Sequence, residues 1–237
     1  MKLRQHIPNL FTCGNLFCGC LAIVQAFEGD LIWAAYLVGI AVVLDFFDGC
    51  AARMLKVSSP IGKDLDSLAD MVTFGVVPSI MIFQMMKNVM AFYSDEPSLE
   101  TIYAPYIAFI IPIFSAIRLA RFNNDTRQTT SFIGLPTPAN AVFFCSLPFF
   151  QIPSLQSGNV LALLCIIFSF LLIAPLPMFS LKVKNFAFKG NEIRYMFLAL
   201  SLVLLITLKF VGIPLVIILY ILMSLVNNFL IKNKAGQ

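Results

Sequence analysis

Apolar runs long enough to cross a lipid bilayer recur along the whole chain, and this feature constrains its fold most. A run of about 20 apolar residues crosses the hydrocarbon core as an α-helix, because a backbone in lipid has to satisfy its own hydrogen bonds. Of the 237 residues, 59% are hydrophobic and 12% are charged, with a mean hydropathy of +0.90. These proportions exclude an ordinary soluble domain and predict an all-α, polytopic helical bundle in a membrane.

The apolar runs predict about eight transmembrane helices. The predicted spans cover residues 8–27, 31–55, 63–88, 102–122, 134–150, 159–180, 195–211 and 213–231. Gly212 and Pro214 mark the break between the last two spans. Because these spans leave no room for a sizeable soluble domain, we expect residues 1–237 to form a single membrane domain.

Lysine and arginine fall unevenly on the two sides of the predicted bundle. With a cytoplasmic N-terminus, all but two of the 16 basic residues lie on the cytoplasmic side, and only Lys87 and Lys209 lie on the other. Because positive residues are retained in the cytoplasm, we expect both termini to face the cytoplasm across the inner membrane of a prokaryote. This bias explains the net charge of +4, which does not indicate nucleic-acid binding.

Four aspartates lie within 26 residues where the second predicted span ends and the third begins. Asp45 and Asp48 are three residues apart, and Asp66 and Asp70 are four apart, so on helices each pair shares a face. Carboxylates brought together in a low-dielectric setting repel one another unless cations neutralise them. Oxygen ligands suit Mg²⁺ or Mn²⁺, and two carboxylate pairs can hold two such ions facing the cytoplasm.

Small residues and one arginine accompany these carboxylates. Gly49 and Ala52 leave room for a bulky ligand beside the backbone, and Gly62 precedes the third span, where free N–H groups favour anions. Arg53 offers a planar guanidinium suited to phosphate oxygens. The stretch therefore indicates a substrate that carries phosphate groups.

The pattern Asp-x₂-Asp-Gly-x₂-Ala-Arg-x₈-Gly-x₃-Asp-x₃-Asp resembles the motif of the CDP-alcohol phosphatidyltransferase family. Residues 45–70 match it without a departure. The resemblance implies an integral membrane enzyme that transfers a phosphatidyl-type group from a CDP-activated lipid to an alcohol and releases CMP. It also implies that Asp70 is the general base and that the protein is a homodimer. No nucleophilic Ser, Cys or His accompanies the motif, which favours a direct in-line displacement.

Three weaker segments resemble the phosphatidylserine synthase branch of this family. They are 9–19 (Asn-Leu-Phe-Thr-Cys-Gly-Asn-Leu-Phe-Cys-Gly), 118–123 (Arg-Leu-Ala-Arg-Phe-Asn) and 134–140 (Gly-Leu-Pro-Thr-Pro-Ala-Asn). Asn140 departs from that branch, where a small apolar residue is more usual. The resemblance implies CDP-diacylglycerol as the donor and L-serine as the acceptor. It also implies that membrane lipids surround the protein.

Polar residues of the first two segments complete the candidate site. Asn9 and Thr12 are expected to contact the CDP-lipid and Asn15 the acceptor, because the three lie at helical spacing. Arg118 and Arg121 share a helix face, where they can hold the serine carboxylate or the lipid phosphate. The three residues of the first segment can instead form hydrogen bonds between helices. The two arginines can instead anchor their helix at the cytoplasmic boundary.

Three other interpretations stay open from the sequence. The acceptor can be glycerol-3-phosphate, inositol phosphate or another alcohol, or the donor can be an archaeal-type lipid, since only the weaker segments favour serine. The chain can also be an acid-lined divalent-cation transporter, which the glycines and Arg53 disfavour. A catalytically inactive scaffold is disfavoured by the complete motif.

Overall fold

Helices make up nearly all of the described structure, which is a computed structural model. It describes residues 6–57, 59–93, 102–124, 132–150, 152, 156–179 and 191–235. The α-helices are α1 (His6–Glu28), α2 (Leu31–Leu55), α3 (Pro60–Asp70), α4 (Val77–Tyr93), α5 (Ile110–Asn124), α6 (Thr137–Ser146), α7 (Gly158–Ile173), α8 (Glu192–Leu208) and α9 (Gly212–Ala235). Two short strands, β1 (Phe132–Ile133) and β2 (Pro177–Met178), pair antiparallel.

Shorter helical turns connect several of these helices. A π-helical turn, Met71–Val76, leads from α3 into α4 without interruption. The 3₁₀ turns are Ala104–Phe109 before α5, Leu147–Phe149 after α6 and Lys209–Val211 before α9.

Five helical stretches are long and apolar enough to cross a bilayer, which makes this a multi-pass membrane protein. They are His6–Glu28, Leu31–Leu55, Pro60–Val89, Ala104–Asn124 and Glu192–Phe229. The first four agree with the first four predicted spans to within a few residues. The all-helical prediction is therefore confirmed.

The predicted number of about eight spans is wrong, because the described residues form seven continuous helical segments and only five of these qualify. The predicted span 134–150 contains only the 10-residue α6 and a 3₁₀ turn at Pro148. The predicted span 159–180 ends at Ile173, since Pro175 and Pro177 cannot continue a helix. α7 is therefore an apolar helix of 16 residues.

The last two predicted spans belong to one helical stretch that reverses direction. Lys209 has a φ of +52°, which turns the chain at the end of α8. A Cβ atom at Gly212 would lie 2.6 Å from the carbonyl oxygen of Leu204, so only glycine allows this close approach. The rings of Phe197 and Tyr220 then meet at 5.7 Å, which shows that α8 and α9 pack side by side.

Small residues hold α1 against α2. Ala22, Ala26, Ala34 and Ala41 are fully buried in a cluster that also contains Phe74 of the π turn. Small side chains allow helix backbones to approach closely, which favours helix packing in membranes. The carboxyl end of α2 is thereby fixed beside the first turns of α1.

A tight connection leads from α2 into α3. Lys56 ends α2 in the left-handed conformation, with a φ of +52°. Ser59 caps α3 by accepting a hydrogen bond from the Gly62 backbone N–H at 3.0 Å, and Pro60 occupies the first turn of the helix. This turn places the carboxylates of α3 opposite those of α2.

Candidate active site

Three of the four predicted aspartates form a compact carboxylate cluster. The side chains of Asp45, Asp48 and Asp66 each offer an oxygen, and these oxygens all lie within 4.8 Å of one another. Asp48 is buried, and the other two are partly buried. Thr12 of α1 donates a hydrogen bond to Asp48 Oδ2 at 2.8 Å, which orients that carboxylate.

A cleft of about 240 Å³ opens beside this cluster, between α1, α2 and the start of α3. It is lined by Pro8, Asn9, Thr12, Asp48, Gly49, Ala52, Val57, Ser59, Gly62, Lys63 and Asp66. The lining includes every residue that the sequence assigned to the CDP-lipid except Arg53. One wall of the cleft therefore carries carboxylate oxygens, and the rest is small or polar.

The two motif glycines shape this cleft in different ways. A Cβ at Gly62 would lie 3.0 Å from Ser59 Oγ and 3.1 Å from Asn9 Oδ1, so the absence of a side chain allows α1 and α3 to approach. A Cβ at Gly49 would meet nothing within 4 Å. Gly49 therefore leaves open space beside the backbone of α2.

Arg53 lies on the surface next to the cleft and not in its lining. Its side chain is exposed, and Nη2 donates to Cys50 Sγ at 3.3 Å. Lys63 lines the cleft instead and donates from Nζ to the backbone oxygen of Asn123 at the end of α5. From the sequence, Lys63 is predicted only as one of the charges that set topology, although its position next to Gly62 is a signal for an anion site.

Asp70 lies outside the compact group of the other three aspartates. It is 8% exposed, and Asn15 of α1 donates from Nδ2 to its Oδ1 at 3.2 Å. The π turn begins at the next residue, and Thr73 within it donates to the backbone oxygen of Asn15 at 3.2 Å. Gly19 allows this approach, because a side chain there would overlap Thr73. Single π turns are frequent at functional sites, and this one fixes Asp70 against α1.

The two predicted acceptor arginines have different surroundings. Arg118 is only 7% exposed, donates from Nη1 to Thr137 Oγ1 at 3.1 Å and lies close enough to Asp70 to interact with its charge. Its Nε has no hydrogen-bond partner among the described residues. Arg121 is exposed, and its Nη1 lies 3.5 Å from the backbone oxygen of Ile173. Only Arg118 is therefore directed toward the interior of the site.

Thr137 contacts Arg118, although its segment of the sequence predicts no role for it. It begins α6 and is fully buried with its hydroxyl against Arg118. Gly134 precedes it with a φ of +79°, and a side chain there would overlap the backbone oxygen of Leu172. The Gly-Leu-Pro-Thr segment therefore serves to place α6, and Thr137 with it, beside α5.

The compact carboxylate cluster fits a hard divalent cation. Its donors are carboxylate oxygens, which Mg²⁺ and Mn²⁺ prefer over the nitrogen and sulfur ligands of softer metals. Three carboxylates this close repel one another in a poorly solvated site, so a cation between them relieves an unfavourable arrangement. Asp45, Asp48 and Asp66 can therefore bind such an ion.

Comparison with known proteins identifies similar chains. The family described as CDP-alcohol phosphatidyltransferase matches residues 5–221. The CDP-diacylglycerol–serine O-phosphatidyltransferase of Helicobacter pylori (strain J99) is 40% identical over 137 residues, which cover 57% of this chain and 54% of that protein. The protein of the same name from Bacillus subtilis (strain 168) is 34% identical over 151 residues, which cover 64% and 80%. The archaetidylserine synthase of Methanothermobacter thermautotrophicus is 32% identical over 143 residues, which cover 59% and 56%. The chain thus spans about half the length of the Helicobacter and Methanothermobacter relatives.

Proposed function

Because this chain belongs to the CDP-alcohol phosphatidyltransferase family, we propose that it transfers the phosphatidyl group of CDP-diacylglycerol to L-serine. The products are phosphatidylserine and CMP. One observation supports an acceptor that carries an anionic group: Arg118 is a buried guanidinium that interacts with the charge of Asp70, and its Nε has no partner among the described residues. The names of the relatives from Helicobacter and Bacillus favour serine among such acceptors.

The donor occupies the cleft between α1, α2 and α3. Its diphosphate lies against the carboxylate cluster, and Gly49, Ala52 and Gly62 leave room for the nucleotide and phosphates. Asn9 and Thr12 of α1 also line the cleft, and Lys63 supplies a cation on the lining. Arg53, now on the surface, reaches the phosphates by a change of side-chain rotamer.

Asp45, Asp48 and Asp66 would hold Mg²⁺ or Mn²⁺, and Asp70 would contribute to a second ion site. The bound ions would neutralise charge on the diphosphate, which would make CMP a better leaving group. Polar side chains of α1 position the carboxylates of this site. Thr12 fixes Asp48, and Asn15 fixes Asp70.

The transfer is a direct displacement at the phosphatidyl phosphorus. Asp70 accepts the proton of the serine hydroxyl as the serine oxygen forms a bond to that phosphorus. The bond between the phosphorus and the bridging oxygen breaks, and this oxygen leaves with CMP. Arg118 holds the serine carboxylate through charge-assisted hydrogen bonds, so the hydroxyl is oriented toward Asp70.

Alternative donors and acceptors use the same machinery. The similarity to an archaetidylserine synthase favours an archaeal-type lipid as the second candidate donor, with serine retained as the acceptor. Glycerol-3-phosphate and inositol phosphate remain competing acceptors, because an arginine binds phosphate as readily as carboxylate. Family membership removes the support for a cation transporter.

The site is proposed to face the cytoplasm. The ends of the helices that form it gather basic residues, including Arg53, Lys63 and Arg121, whereas the connection between α1 and α2 carries Glu28 and Asp30. Positive charge is retained on the cytoplasmic side of membranes. Serine and the CDP-lipid then meet at the inner surface of the cytoplasmic membrane.

The deciding experiment is an acceptor assay on purified protein in detergent with CDP-diacylglycerol. Labelled L-serine should enter lipid with the release of one CMP for each serine incorporated. Glycerol-3-phosphate, inositol phosphate and free inositol should neither become incorporated nor compete. Incorporation of one of these alcohols in preference to serine would contradict the proposed acceptor while leaving the reaction class intact.

A further inference from the structure

Asn123 ends the Arg-Leu-Ala-Arg-Phe-Asn segment of the sequence, and the proposed reaction has not used it. It is the penultimate residue of α5, and its side chain is half-buried. Its Nδ2 donates a hydrogen bond to Ser67 Oγ at 2.8 Å. Ser67 lies on α3 between Asp66 and Asp70. This hydrogen bond therefore joins α5 to the helix that carries two of the site carboxylates.

The backbone of Asn123 provides a second contact with α3. Its carbonyl oxygen accepts a hydrogen bond from Nζ of Lys63, which lines the donor cleft. This carbonyl belongs to the last turn of α5, where backbone oxygens have no partner within the helix and attract cations. The Ser67 hydroxyl in turn donates to the backbone oxygen of Lys63 at 3.2 Å. Asn123 thus contacts two successive turns of α3.

Hydrogen bonds are important at this junction because the two helices share little packing. α3 packs mainly against α1 and against the π turn that follows it, and its backbone approaches α5 at few points. The side chains of Asn123 and Ser67 bridge the two helices directly. The contacts of Asn123 therefore provide much of the connection between α3 and α5.

The position of α3 relative to α5 matters for the proposed reaction. Asp70 ends α3, and Arg118 lies little more than one turn before Asn123 on α5. Arg118 is proposed to hold the serine carboxylate, while Asp70 takes the proton of the serine hydroxyl. Both groups belong to one small molecule, so the two residues have to stay at a fixed separation. The rate of a displacement depends steeply on such alignment.

We propose that Asn123 is a positioning residue, which holds α3 on α5 through Ser67 so that Asp70 reaches the hydroxyl of an acceptor bound by Arg118. This inference rests on the proposed function and deepens it, because it gives a role in the reaction to a residue that touches neither substrate. The competing explanation is that Asn123 only stabilises the fold. The two explanations predict different values of kcat for each folded molecule.

A double-mutant cycle tests the inference. Asn123→Ala and Ser67→Ala should each lower kcat per folded molecule by about 2- to 12-fold, because the aligned arrangement loses one hydrogen bond between neutral groups. The double variant should be no slower than the slower single variant, since both substitutions remove the same hydrogen bond. The KM for CDP-diacylglycerol should not change, because α3 stays packed on α1 beside the donor cleft. Losses that multiply in the double variant would overturn the inference.

Two further variants distinguish positioning from stability. Ser67→Thr keeps the hydroxyl and should retain most of the wild-type kcat, whereas a loss equal to that of Ser67→Ala would overturn the inference. Asn124→Ala is the matched control, because Asn124 is exposed and donates to the backbone oxygen of Ala120 in its own helix. Folded protein is measured by size-exclusion chromatography in detergent, together with the unfolding temperature. A lower unfolding temperature with an unchanged kcat per folded molecule would show that Asn123 only stabilises the fold.

The choice of acceptor separates this inference from the proposed function. The cycle is run first with labelled L-serine. If the wild type does not use serine, the proposed acceptor is wrong, and the cycle is run with the alcohol that the wild type does use. Non-additive losses with that alcohol would support the inference, and additive or absent losses would overturn it. If Asn123→Ala does not fold, the comparison of Ser67→Ala with Ser67→Thr decides, since Ser67 is only half-buried.

Discussion

Asn15 donates a hydrogen bond to Asp70 at 3.2 Å, and both side chains are buried between α1 and α3. This contact joins a residue near the start of the chain to the carboxylate that we propose as the base. Thr73 strengthens the link by bonding the backbone oxygen of Asn15. α1 therefore orients Asp70, besides forming one wall of the donor cleft.

Replacement of Asn15 by leucine should lower kcat more than it alters either KM. The lost bond to a charged acceptor is worth about 1.5–3 kcal/mol, or about 10- to 150-fold, and Asp70 would lose its fixed orientation. Asn124→Ala is the control, since Asn124 is exposed and donates a hydrogen bond to the backbone oxygen of Ala120 within its own helix. A wild-type kcat for Asn15→Leu would show that Asp70 is not positioned by α1.

Removal of divalent cations should abolish activity, and Mg²⁺ or Mn²⁺ should restore it. Asp45→Asn and Asp66→Asn should be inactive but folded, because each removes a charged ligand from the cluster. Binding of Mn²⁺, followed by its paramagnetic resonance signal, should weaken in both variants and provides a readout independent of turnover. Asp64→Asn is the control, as Asp64 is exposed and outside the cluster. Full activity in chelator would exclude a metal-dependent mechanism.

A methyl group at Gly49 should impair donor binding without harming the fold. Nothing lies within 4 Å of a Cβ at this position, and alanine favours a helix by about 1 kcal/mol over glycine. Gly49→Ala should therefore keep or raise the unfolding temperature in detergent while raising the KM for CDP-diacylglycerol. Gly39→Ala is matched, because Gly39 also lies on α2 with nothing near its Cβ but is not in the cleft lining. Equal kinetics for the two variants would place the donor elsewhere.

The carboxylate site could be predicted from sequence because it depends on local spacing. Asp45 and Asp48 share one helix, and Asp66 lies on the next helix after a tight turn, so their convergence needs only helical periodicity. The first four transmembrane spans could also be predicted, because the length of an apolar run is a local property of the sequence. Asp70 was assigned with Asp66 by the same spacing, but its burial against Asn15 depends on how α1 packs.

Features that depend on tertiary packing could not be predicted. Arg118 and Arg121 have the same spacing and charge, yet one is buried against Thr137 and the other is exposed. The difference arises from the placement of α6, which Gly134 allows by its positive φ. The short α6 and the early end of α7 also lowered the number of spans, because hydropathy does not report where prolines interrupt a helix.

The orientation can be tested with single cysteines in a background from which the six native cysteines have been removed. Glu28 and Asp64 are both exposed and lie at opposite ends of the helices that form the site. An impermeant thiol reagent added to intact cells, with any outer membrane permeabilised, should label Glu28→Cys. Asp64→Cys should be labelled only after the inner membrane is disrupted. The reverse pattern would invert the proposed orientation.

Arg118 and Arg121 provide a matched pair for testing acceptor recognition. Arg118→Lys should raise the KM for serine by about 10- to 150-fold, because lysine keeps the charge but loses the planar fork that pairs with a carboxylate. Arg121→Lys should behave as wild type, since Arg121 is exposed and only approaches a backbone oxygen at the end of α7. The KM for CDP-diacylglycerol should change in neither variant.

A rise in the KM for CDP-diacylglycerol in Arg118→Lys would mean that Arg118 binds the donor phosphate instead. Equal effects on serine in both variants would mean that burial beside Asp70 does not decide which arginine binds the acceptor. Loss confined to serine kinetics in Arg118→Lys is the result expected if the buried arginine holds the carboxylate while Asp70 takes the hydroxyl proton.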